Sequence, residues 1–124
     1  MLLEWLNKEF SVARWTREQK FEELGEFSFW SRTDQELSLV CPTECLPQDV
    51  EKHEDGWIGF RVVGQMDFSL VGILAEISGC LAEKKISIFA VSTFDTDYIF
   101  INKNNVLLAQ NQLELKGWNF KNRK

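Results

Sequence analysis

The sequence predicts an α+β chain in which an antiparallel sheet carries its helices on one face. Residues 64–101 run as polar turn, helix, strand, hairpin and strand. From Trp57 onward the element order is β-α-β-β-α with a terminal β, a split-βαβ pattern. Before Trp57, alternating apolar residues flank Thr33-Asp34-Gln35, which reads as a β-hairpin.

Taken in order, Leu2, Leu3 and Leu6 have helical spacing, so Met1–Asn7 is expected to form a short turn or helix. Glu9–Trp15 alternates and reads as a strand, while the charged segment Thr16–Gly25 fits a loop or a short helix. Glu26–Ser31 and Leu37–Cys41 are the hairpin strands. Pro47 suits the first turn of a short helix through about Lys52, and Asp55-Gly56 then turns the chain. Trp57–Val63 places Ile58, Phe60 and Val62 on one face of a strand.

Helical periodicity begins near Leu70, with Leu70, Ile73, Leu74, Ile77 and Leu81 as one apolar stripe. Gly79 in mid-helix costs about 1 kcal/mol relative to Ala, which a close approach to the sheet would offset. Ile86–Phe94 and Tyr98–Ile101 read as buried strands. A second helix spans about Asn104–Leu115, with Asn104 or Asn105 as its cap and Gly117 as its end. Trp118–Phe120 adds a last short strand. The C-terminal order is the ferredoxin-like one, and the first half supplies β, β-hairpin, α in similar order.

Composition excludes several function classes. The formal net charge is −5, against the cationic surface that nucleic-acid binding requires, and the basic tail of Lys116, Lys121, Arg123 and Lys124 is small. Glu4, Lys8 and Glu9 interrupt any signal-peptide core, and no apolar run approaches the length of about 20 residues needed to span a bilayer. A cytoplasmic chain is the expectation. The three cysteines fit reduced, ordinary buried side chains, and His53 is the only histidine, so no metal and no cofactor are expected. No nucleophile–base motif or phosphate-cradling glycine loop is present, and the expectation is a protein that is not an enzyme. An aromatic content of 13%, with ten Phe and five Trp, implies either a dense core or a face packed on another subunit.

The segment Asp67-Phe-Ser-Leu-Val-Gly72-Ile-Leu is similar to the Asp-x-Pro-Gly-x-Leu turn of ACT domains, without its proline. Ile86-Ser87-Ile88 matches the strand after that family's first helix. Ser92-Thr93-Phe94-Asp95-Thr96-Asp97 resembles the Ser-Thr-Phe/Tyr-x-x-Asp signature of one subgroup. That subgroup holds small bacterial tandem-ACT proteins and arginine sensors of the CASTOR type. Two positions depart from it: Asp97-Tyr98 stands for Asp-His, and Ile101-Asn102 for Val-Pro. The resemblance implies a ferredoxin-like ACT domain over 56–124, preceded by a degenerate ACT-like subdomain over 1–55. It also implies a non-catalytic regulatory or sensor protein, a homodimer, binding a small molecule of the amino-acid class at a subunit or domain interface.

An amino-acid site needs an acceptor for the ammonium, donors for the carboxylate and a pocket for the side chain. The resemblance puts Asp67, Phe68, Ser69, Leu70, Val71, Gly72 and Ile73 at a helix N-terminus, where free N–H groups favour an anion. Ser92, Thr93, Phe94, Asp95 and Asp97 are the facing strand-end residues, with Asp97 the partner of a cationic ligand group. The structural reading beside this is that Asp67 and Ser69 cap the helix and that Asp95-Thr96-Asp97 is a hairpin turn. The alternative function is a ligand-free ACT-type dimerisation or interaction module.

Overall fold

Lateral hydrogen bonding decides the conformation of the N-terminus. In the computed structural model, which describes residues 2–15, 24–64 and 72–124, strand β1 runs over Leu2–Trp15. The expected turn or helix over Met1–Asn7 is therefore strand from Leu2 onward. Leu3 and Trp5 are both buried, the period of two that a half-buried strand requires. The Val63 N–H donates to the Leu2 carbonyl at 2.8 Å and the Lys121 N–H to the Leu3 carbonyl at 2.7 Å. The Asn122 amide brackets Trp5, accepting its backbone N–H at 2.8 Å and donating to its carbonyl at 2.9 Å. Helical spacing of three leucines cannot compete with that set of partners.

The other elements are β2 (Phe29–Arg32), β3 (Leu37–Pro42), β4 (Lys52–Val62), α1 (Ile73–Ala82), β5 (Ile88–Ser92), β6 (Asp97–Asn102), α2 (Val106–Leu115) and β7 (Asn119–Phe120). Both hairpins and both C-terminal helices stand where periodicity placed them. The helix expected from Pro47 to Lys52 is absent; a single 3-10 turn covers Thr43–Cys45 instead. The Glu51 N–H donates to the Arg14 carbonyl at 2.9 Å, which draws this segment into extended backbone. Asp55-Gly56 does not turn the chain but lies within β4, where Gly56 takes φ +84°. The segment Thr16–Gly25 falls largely outside the described residues, as does Leu70.

The chain divides into two compact units, residues 1–7 with 58–124, and residues 8–57. The division expected from sequence, 1–55 and 56–124, differs in where the first seven residues go. In the larger unit the strand order is β5-β6-β4-β1, with β7 pairing β1 in parallel at Leu2 and Leu3. Its core joins Leu3, Trp5, Phe60, Val62, Ile99 and Ile101 of the sheet to Ile73, Ile77, Leu81, Ala109 and Leu113 of the helices. The helices lock to each other through the Gln112 side-chain amide, which donates to the Cys80 carbonyl at 3.3 Å. Trp5 Nε1 donates to buried Gln110 Oε1 at 2.9 Å, so both polar atoms are satisfied in the interior. Gly117 takes φ +97° and ends α2, with the Trp118 N–H returning to the Leu113 carbonyl at 3.0 Å. Neither expected asparagine caps α2 through its side chain; Asn102 instead accepts the Asn104 N–H of the 3-10 turn before it.

Gly79 needs another correction: a Cβ there would meet nothing within 4 Å, so no close approach to the sheet compensates it. The glycine with a packing role is Gly59. A Cβ at Gly59 would lie 2.8 Å from Phe100 Cε1, and Phe100 stacks on Phe89 with ring centroids 4.8 Å apart. Phe100 lies between Ile99 and Ile101, so alternation turns it to the sheet face away from the helices.

In the smaller unit the strand order is β2-β3-β1-β4, so each unit sets its hairpin beside the strand that leads into it, β1 here and β4 in the larger one. Its core cluster is Trp15, Leu37, Leu39 and Cys41, with Trp15 stacked on Trp30 at 5.0 Å. The two hairpins repeat each other at a constant offset of 60 residues. Phe29↔Val40 through Arg32↔Leu37 matches Phe89↔Phe100 through Ser92↔Asp97. Both turns close by the same bond: Thr33 N–H to the Glu36 carbonyl at 2.9 Å, and Thr93 N–H to the Thr96 carbonyl at 2.8 Å. Each third strand then enters a 3-10 turn, at Thr43–Cys45 and at Lys103–Asn105.

Candidate functional site

The β5–β6 hairpin positions five of the residues that the sequence reading singled out. Ser92 and Asp97 are the last pair of the ladder, and Ser92 Oγ donates to Asp97 Oδ1 at 2.6 Å. Asp97 is only 9% exposed, and its carboxylate receives no other hydrogen bond among the described residues. Thr93 closes the turn twice, through its N–H and through Oγ1, which donates to the Thr96 carbonyl at 3.1 Å. Thr96, unremarked in the sequence as a site residue, anchors the hairpin: its hydroxyl donates to the Val62 carbonyl at the end of β4, at 2.7 Å. Phe94 and Asp95 form the tip, where Phe94 is 83% exposed.

At the other side of the expected site, α1 begins at Ile73 with Gly72 as its N-cap, φ +85°. Glycine offers no capping side chain, and among the described residues no side chain caps this helix. Its first-turn N–H groups therefore retain the partial positive charge that favours an anion. Ile73 is buried in the core, so its side chain serves packing. Asp67, Phe68, Ser69, Leu70 and Val71 lie outside the described residues. Among the described residues no cluster of His, Cys, Asp or Glu could hold a metal ion.

On the larger unit's sheet, Arg61 meets Glu4 and Tyr98. The Arg61 guanidinium lies 3.0 Å from Glu4 Oε1, and Nε donates to the same oxygen at 3.1 Å. The hydrogen bond to Tyr98, and then those to Glu4, raise Arg61 above the ordinary arginine value against the opposing effect of burial.

A cleft of about 620 Å³ lies elsewhere, in the smaller unit. None of the expected site residues lines it. Val12 and Arg14 of β1, Ser38 of β3, and Lys52, His53 and Glu54 of β4 form its wall with Glu36 and Glu51. Arg14 Nε stands 3.6 Å from Glu51 Oε2, an ion pair too long for a hydrogen bond. His53 Nδ1 is 2.9 Å from Asp55 Oδ1. Sequence reasoning missed this cleft because its residues come from three strands. The one available signal was Arg14 sharing an alternating face with Phe10 and Val12.

The ACT domain family matches residues 52–114. A protein of Agobacterium tumefaciens with a crystal structure is 32% identical, with a TM-score of 0.86, over 96% of this chain and 90% of that one. A Vibrio cholerae protein of unknown function, described as a possible transport protein, is 20% identical with a TM-score of 0.72, over 91% and 87% of the two chains. A chain from the structure of aspartokinase alpha and beta subunits is 17% identical with a TM-score of 0.66, over 93% of this chain and 96% of that one. The last two are likenesses of fold. No curated protein matches the chain significantly.

Proposed function

The chain belongs to the ACT domain family, and from that premise we propose that it is a regulatory or sensor protein that binds an amino acid and performs no chemistry on it. ACT domains are typically small-molecule regulatory modules, and the family match indicates no catalytic family. Asp97 carries the reading. A carboxylate that is nearly buried and, among the described residues, held by one hydroxyl alone is suited to an ammonium or other cationic ligand group. The N-terminus of α1, capped by no side chain among the described residues, supplies the complementary preference for a carboxylate. Ligand binding then acts by favouring one arrangement of subunits over another, since only a difference in affinity transmits a signal.

The repeated hairpin, its place beside the strand that leads into it and the paired 3-10 turns support a tandem reading, in which the smaller unit is a reduced ACT-like half. They also support kinship with the tandem-ACT subgroup that includes the CASTOR-type sensors. Leu107, Leu108 and Leu115 are exposed on α2, which favours a homodimer that covers them. The same surface favours the second reading, an ACT-type interaction module without a ligand.

Thermal unfolding against the twenty amino acids at millimolar concentration tests the proposal. Binding at 100 times Kd stabilises by about 2.7 kcal/mol, a shift of several degrees for a domain of this size. A shift confined to one or two amino acids, lost in Asp97→Ala, is the expected result. A flat panel from a protein that sediments as a dimer would instead select the interaction module.

A further inference from the structure

The constant offset between the hairpins allows their side chains to be compared position by position. Ser38 of the smaller unit corresponds to Tyr98 of the larger, opposite Ser31 and Val91 in identical registers. Each stands beside an arginine. Ser38 pairs with Arg14 across the ladder, whereas Tyr98 hydrogen-bonds Arg61. Each arginine also faces a glutamate, Glu51 for Arg14 and Glu4 for Arg61. The two constellations differ in what fills the space over the arginine. In the larger unit a phenol occupies it. In the smaller unit a hydroxymethyl group leaves it open, and the 620 Å³ cleft lies there.

The geometry points to this cleft as a binding site for a small zwitterion of the α-amino-acid class, its side chain apolar or aromatic and lying where Tyr98 lies in the other unit. The volume is within the range of about 300–1,000 Å³ usual for small-molecule sites. Its charges are of both signs. Arg14 and Lys52 suit a carboxylate, and Glu36 and Glu54 suit an ammonium. Arg14 holds Glu51 at 3.6 Å, against 3.0 Å for Arg61 and Glu4, so its planar donors are available for a two-pronged bond to a ligand carboxylate. Val12 gives the side chain an apolar surface. A simple anion would meet the acidic residues unpaired, and a simple cation the arginine, so a ligand carrying both charges is the best complement.

This inference takes its ligand class from the proposed function and places it at a different site. Calorimetric titration with L-phenylalanine, L-tyrosine and L-leucine tests it, with phenylalaninamide and 3-phenylpropionate as probes lacking one charge. At least one of the three amino acids should bind, and each half-charged probe at least about tenfold more weakly than L-phenylalanine when that binds. Arg14→Gln should weaken the amino acid about ten- to hundredfold, and Ser38→Tyr should abolish binding by restoring the phenol. Circular dichroism and the melting temperature verify that each variant is folded, and Arg14→Gln decides alone if Ser38→Tyr is not. Binding retained in folded Arg14→Gln overturns the cleft. Binding lost only in Asp97→Ala overturns the cleft while upholding the hairpin site of the proposed function. No binding of any of the three amino acids also overturns the cleft, and the twenty-member thermal panel then judges the proposed function separately.

Discussion

Cys41 shows how a single residue reports on burial. It is fully inaccessible in the smaller unit's core, and burial first, then the neighbouring Cys45, pushes its thiol up to about 11 from 9.0. A thiol that holds its proton more tightly when folded stabilises the fold relative to its ionised form. That contribution is fully present below about pH 9 and is lost as pH rises towards about 11. Two outcomes are expected. Urea midpoints should fall across that alkaline window, less so in Cys41→Ala compared with its own neutral value. Iodoacetamide at pH 8 should label half-buried Cys45 and spare Cys41 until urea unfolds the chain, as peptide mass spectrometry would reveal. The sequence reading of the cysteines as ordinary reduced side chains was legible from spacing alone. The expectation that they are buried holds for Cys41 and Cys80, whereas Cys45, in the 3-10 turn beyond the alternation of β3, is half-buried.

At the scale of elements, α1 carries an unforced defect. Gly79 is exposed within the helix and a Cβ there meets empty space, so its replacement by Ala removes backbone entropy without a clash. Gly79→Ala should stabilise the protein by about 0.5–1 kcal/mol, read as a higher urea midpoint with an unchanged slope. A lower midpoint would mean that the helix surface at Gly79 is covered. Helices α1 and α2 and both hairpins were legible because their signals are local: a stripe every three or four residues, or alternation around a polar turn. The strand at Leu2–Asn7 was not legible. Its leucines are spaced as on a helix, and its partners Lys121 and Asn122 are more than a hundred residues away.

The dependence of the larger unit on that strand is a property of the whole molecule. Residues 1–7 bring Leu3, Trp5 and Leu6, all buried, and the indole that satisfies Gln110. Each such side chain contributes about 1.5–3 kcal/mol on burial, and three together rival the 5–15 kcal/mol by which a domain is usually stable. Deleting residues 1–7 should therefore abolish the cooperative thermal transition of the larger unit, even though residues 52–114 carry the whole family match. Retention of a native near-ultraviolet spectrum and a sharp melt by the truncated chain would contradict this.

The sequence by itself determined the fold class, the order of most elements and the family, because periodicity, turn residues and a short motif are written within stretches of about 10–40 residues. It also placed Ser92 and Asp97 together, since a hairpin brings its own ends into register. Only the tertiary structure decided that Leu2–Asn7 completes the larger unit, that Gly59 and not Gly79 accommodates a neighbour, and that Ser38 uncovers Arg14. Each of these depends on which distant strand lies alongside, and strand pairing is set by long-range burial and hydrogen bonding that no local pattern encodes.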